Sequence, residues 1–203
     1  MSGHTFFFYG SLMDRDLLEA VIGRRASGIA FTPGWLTGYI AEKAAGYTFP
    51  TLVESRTGRV NGVITQGLTQ ADADRIAYYE DNDEYAAQVI DIATAETDIA
   101  AQVFLSATPM MSSGEPWSFD HWKKHDKPLL LAITRKVMTE HYGITPANKV
   151  HDVWMRIKAE LEAKMTAPLQ LKPKRAPQTP AAKQAAPRRA APAASPTRRP
   201  RGS

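Results

Sequence analysis

The chain has 203 residues, 43% of them hydrophobic, with a formal net charge of +4 at pH 7. It has no cysteine, which excludes a disulfide framework, a zinc–thiolate site and a cysteine nucleophile. No apolar run approaches the roughly 18 residues of a membrane-spanning helix, and no Lys or Arg precedes Phe6 to begin a signal peptide, so a cytoplasmic protein is expected.

The chain opens on an apolar strand over residues 4–9, Phe6-Phe7-Phe8-Tyr9 at its centre, which runs into the small loop Gly10-Ser11-Leu12. A helix over 14–22 follows at once, with Asp14 as N-cap and Gly23 as its stop. A strand that ends in a small loop at a helix start presents free backbone N–H groups to an anion such as a carboxylate or phosphate. Gly10 suits that loop because glycine reaches unusual backbone angles cheaply and lets a ligand approach the main chain.

Residues 28–40 alternate with interruptions at Pro33, Gly34 and Gly38, which predicts strands with a bend or bulge. Tyr47–Val53 is a further extended piece, and its Pro50 argues for an edge or a bulge. Thr57-Gly58-Arg59 reads as a turn. Val60–Gly67 has no strictly polar face, which suits the middle of a sheet or barrel. Thr69 and Asp72 then cap a helix that carries Ala73, Ile76 and Ala77 inward and ends near Tyr78-Tyr79-Glu80.

Beyond the acidic turn 80–84, Tyr85–Ile92 and Ala100–Leu105 read as a strand hairpin, Pro109–Pro116 as a flexible loop, and Trp117–Trp122 as an aromatic segment packed over the sheet. Leu129–His141 is helical, and Thr145-Pro146 opens a last helix whose Val150, Val153, Trp154, Ile157 and Leu161 recur at the spacing of a core face. Residues 166–203 are different material: they hold eight of the 14 prolines, nine Lys or Arg and no Asp or Glu. Residues 1–165 therefore carry 16 basic against 21 acidic residues, so the body is mildly acidic and the tail alone is basic. The expected organisation is one folded domain over 1–165 and a disordered Pro/Ala-rich tail over 166–203. Such a tail suits weak, sequence-independent contact with nucleic acid or an anionic surface, although it lacks aromatic residues for base stacking.

The second group with chemical promise is Glu80. A carboxylate crowded by Asp81, Asp83 and Glu84, or set in an apolar pocket, has a raised pKa and suits acid/base work near neutral pH. His121 and His125 share a helix face at i,i+4 but have no third ligand nearby, so packing or solvated histidines are expected rather than a metal site. Ser11 lacks the Gly-x-Ser-x-Gly surroundings of a hydrolase nucleophile.

Taken together, Phe7-Phe8-Tyr9-Gly10-Ser11-Leu12, Phe49–Val53, Val60–Ile64, Gly67-Leu68-Thr69, Tyr79-Glu80, Tyr85 and the Trp117–Trp122 segment resemble the gamma-glutamylcyclotransferase-like (AIG2-like) family over residues 5–125. The resemblance implies an α+β fold, a small mixed, barrel-like sheet flanked by helices. It implies that Tyr9, Gly10, Ser11 and Leu12, with Tyr85, hold a gamma-glutamyl substrate. It implies that Glu80 is the acid/base of a cyclisation to 5-oxoproline that uses no metal or cofactor, because the nucleophile belongs to the substrate. An aspartate common in the family is replaced by Ala77 and an arginine by Ala86, so the support around the site is altered. The alternative is a catalytically silent member that binds a metabolite or partner, with the tail as tether; the leaving group and oligomeric state stay open.

Overall fold

The computed structural model describes residues 3–80, 85–106 and 111–166. Its elements run β1 (His4–Phe8), α1 (Arg15–Ile22), β2 (Ala30–Ala44), β3 (Pro50–Leu68), α2 (Gln70–Tyr79), β4 (Tyr85–Ile92), β5 (Ile99–Ser106), β6 (Ser112–Pro116), α3 (Phe119–His125), α4 (Lys127–Glu140) and α5 (Val150–Thr166). The strands form one sheet in the order β4-β5-β1-β3-β2-β6. It is a mixed sheet: β1 pairs antiparallel with β3 but parallel with β5.

Successive side chains of a strand point to opposite faces, and the phenylalanines of β1 follow that rule. Phe6 and Phe8 stack on one face at 5.8 Å and join Leu17, Leu18, Ile76, Trp122 and Ile133, the core under the helices. Phe7 points the other way, into a smaller cluster with Leu36, Ile64, Ile92, Ala101 and Val103. The sheet curls around this second cluster. Trp35 of β2 donates to the Ala93 carbonyl at 2.9 Å and Ala93 donates back at 3.1 Å, which joins β2 to the end of β4 across the opening. The result is an α+β domain whose barrel-like sheet carries its helices on the outside.

Capping follows the sequence closely. The Asp14 side chain accepts from the Leu17 amide, and Gly23 ends α1. Thr69 and Asp72 cap the start of α2 reciprocally. Four segments differ from expectation. Residues 47–49 are not extended but lie in the turn between β2 and β3, and the extended run begins only at Pro50. Residues 57–59 form no turn: β3 passes through them beside an irregularity at Thr37–Tyr39 of β2. The reason is close approach, since a Cβ on Gly58 would lie 2.6 Å from the Tyr39 carbonyl oxygen, and only glycine lets the two chains pass. Residues 112–116 are strand β6, paired with the end of β2, and not part of a loop. Thr145-Pro146 leads into a 3₁₀ turn, Ala147–Lys149, before α5 begins. The acidic cluster 81–84, residues 107–110 and the tail from 167 lie outside the described residues. No helix among the described residues is long and apolar enough to cross a membrane.

Candidate active site

The loop after β1 is held from three sides. The Tyr9 hydroxyl donates to the Phe104 carbonyl of β5 at 2.9 Å, so the loop is tied to the neighbouring strand. Gly10 lies against Pro50, the first residue of β3, where an added Cβ would be only 3.3 Å from the proline ring. Leu12 is buried in the helix-side core, so its side chain anchors the loop. Residues 11–13 make a short 3₁₀ turn that leads straight into Asp14, the N-cap of α1. In it the Met13 and Asp14 amides close on the carbonyls of Gly10 and Ser11 at 3.1 and 3.0 Å.

Glu80 is the C-cap of α2, and its amide donates to the Ile76 carbonyl at 2.9 Å. The residue is half-buried and its carboxyl is enclosed by protein. Burial, which disfavours the charged form, pushes that carboxyl up to about 7. No hydrogen bond or ion pair compensates it among the described residues. Tyr79 links the two halves. Burial, and then the charge of Glu80, raise the Tyr79 phenol to about 12, while the side chains of Ser11 and Thr134 face it and lower it in part. Thr134 Oγ1, on α4, is buried and makes no hydrogen bond among the described residues. The strand-end loop and Glu80, far apart in the chain, therefore meet across one phenol. Tyr85 opens β4 opposite Ser106; its side chain lies outside the described residues.

Beside the loop runs a groove of about 470 Å³, within the range of small-molecule sites. Tyr9 and Met13 border it from the loop, Arg59 and Asn61 from β3, and Trp117 and Phe119 from the start of α3. Glu80 is not among its described walls. Sequence reasoning missed Arg59 by placing it in a turn; its alternation with Val60 and Gly62 was the available signal. It also passed over Tyr79 as a functional residue, and Thr134 gave no local signal at all. The rings of His121 and His125 lie 4.5 Å apart on exposed positions of α3, and no group of three His, Cys, Asp or Glu among the described residues is arranged to hold a metal ion.

A family model described as gamma-glutamyl cyclotransferase, AIG2-like, matches residues 6–124. Two similar proteins come from Arabidopsis thaliana. AIG2-like protein C is 24% identical over 142 residues, spanning 68% of this chain and 79% of that protein. AIG2-like protein A is 27% identical over 140 residues, spanning 66% and 81%. A solution structure of an Arabidopsis thaliana protein superimposes with a TM-score of 0.49 at 22% identity, covering 73% of this chain and 88% of that one.

Proposed function

Because the chain belongs to the gamma-glutamyl cyclotransferase, AIG2-like family, we propose that it is an enzyme that converts a gamma-glutamyl amide to 5-oxoproline and a free amine or amino acid. The alpha-amine of the substrate attacks its own gamma-carbonyl. The new C–N bond closes the five-membered ring and the old amide C–N bond breaks. Glu80 takes the proton released by the attacking nitrogen and returns it to the leaving nitrogen, so the carboxyl ends each turnover as it began. Tyr9 to Leu12 grip the alpha-carboxylate end through the loop backbone, and Tyr85 borders the substrate. Holding the chain folded on itself supplies rate through proximity, and the reaction needs no cofactor. The cytoplasm is the compartment the sequence favours.

The observation that carries this reading is the uncompensated Glu80 carboxyl, poised near 7 beside the Tyr79–Ser11 contact. A general base works best when its pKa lies near the operating pH. The replacements at Ala77 and Ala86, and the position of Glu80 off the groove walls, favour a second reading, a binding protein without turnover. One assay decides: 5-oxoproline release from gamma-glutamyl dipeptides and gamma-glutamyl amines, with wild type and Glu80→Gln. Turnover that drops in the variant is expected. No turnover of any substrate defeats the enzyme reading, and an equally active variant defeats the assignment of Glu80.

A further inference from the structure

The groove beside the loop has a polarity that the cyclisation itself does not require. Along β3, a Cβ on Gly62 would strike the Phe7 ring at 2.5 Å. Gly62 therefore faces the inside of the curled sheet, and its alternating neighbours Arg59 and Asn61 stand on the outer face with the helices. There the Arg59 guanidinium lies 4.8 Å from the Trp35 ring centroid, and its Nε donates to Asn61 Oδ1 at 3.2 Å. Stacking on an aromatic ring and one side-chain hydrogen bond hold the fork in place. Its two terminal nitrogens make no hydrogen bond or ion pair among the described residues. No Asp or Glu is among the described walls of the groove, although residues 1–165 are acidic overall. The opposite wall is apolar: Met13, Phe119 and Trp117, whose indole N–H is fixed on the Thr48 carbonyl at 2.9 Å.

A pre-set guanidinium without a counter-ion, facing aromatic walls, fits a carboxylate attached to an apolar body. We infer that this groove receives the leaving half of the substrate, and that Arg59 and Asn61 bind its carboxylate. The preferred substrates are then gamma-glutamyl amino acids with an apolar or aromatic side chain, in preference to gamma-glutamyl amines. The inference rests on the cyclotransferase reading above and deepens it.

The test compares gamma-glutamyl-phenylalanine with gamma-glutamyl-phenethylamine, which lacks only the second carboxylate, in the full-length wild type, Arg59→Met and Arg59→Lys. The readout is the ratio of the two kcat/KM values, which a partly unfolded variant does not change. We expect a wild-type ratio of about tenfold for the acid, the scale of a charge-assisted pair at a partly exposed site. It should fall towards one in Arg59→Met and be partly kept in Arg59→Lys. A wild-type ratio near one, or a ratio unmoved in Arg59→Met, overturns the carboxylate site and leaves the cyclotransferase reading standing. If neither compound turns over, the cyclotransferase reading fails, and calorimetric binding of the same pair decides the groove. Tighter binding of the acid that is lost in Arg59→Met supports the carboxylate site, and equal or absent binding overturns it.

Discussion

Glu80 is unstable where it stands, and that is a measurable property. Burial pushes its carboxyl up to about 7 in the folded protein, against 4.5 for a free glutamate side chain. The protonated form is thus favoured by the fold, and the stability linked to it is complete below pH 4.5 and lost as pH rises through 7. Glu80→Gln removes the loss. The variant should match wild type in thermal unfolding at pH 4 and exceed it at pH 8.5 by on the order of 2 kcal/mol. Its kcat should fall by about 10²–10⁴-fold, and wild-type kcat/KM should rise with pH through a midpoint near 7. A gain in stability with a loss of activity is the pattern of a group held for chemistry. At this scale the sequence was only half legible. Glu80 was singled out with two causes left open, acidic crowding or an apolar pocket, and burial is the one that raises it. Its link to Ser11 runs through Tyr79 and reaches Thr134 on a different helix, which no local pattern announces.

The helices are fixed by caps, and Asp72 bears the most. It is almost wholly buried at the start of α2, accepts from the Thr69 amide and hydroxyl at 2.8 Å each, and receives Arg24 through Nε at 2.9 Å and Nη2 at 2.5 Å. Burial pushes its carboxyl up, but the Arg24 and Thr69 hydrogen bonds outweigh burial and leave it below the ordinary value. Its contribution is therefore present above pH 3.8 and fades as pH falls below it. Asp72→Ala should cost about 3 kcal/mol by urea unfolding at pH 7, since it removes a cap and leaves the partner cation unpaired. The Thr69-x-x-Asp72 spacing made this element legible in advance, but Arg24 did not stand out because its partner is far along the chain. Strand β6 was illegible for the opposite reason. Ser112-Ser113-Gly114-Glu115-Pro116 has no apolar alternation, and it is a strand only because the end of β2 offers it a free edge.

For the whole molecule, charge is the property most easily read from the chain. The acidic body and the basic stretch 166–203 make opposite demands on a polyanion. The full chain should be retained on a heparin column at low salt, and a chain cut after Met165 should not, with the difference vanishing as salt rises. Equal retention of both would assign any binding to the body instead. The central place of β3 was also legible, because residues 60–67 show apolar residues on both faces, while the α+β class came from the family resemblance. The barrel-like closure was expected from that resemblance alone, since it depends on a backbone pair that side-chain patterns do not encode.

That closure separates two kinds of assembly. The β2–β3 and β4–β5 hairpins are each built from neighbouring segments, and each can zip from its own turn. The Trp35–Ala93 pair instead joins the two hairpins, which the sheet otherwise links through β1. It is a seam, an isolated backbone pair expected to form late and to part early. Its two amides should exchange hydrogen faster than that of Ile64 in the centre of the sheet. Proline at position 93, which removes one stitch, should quicken unfolding while leaving the refolding rate nearly unchanged.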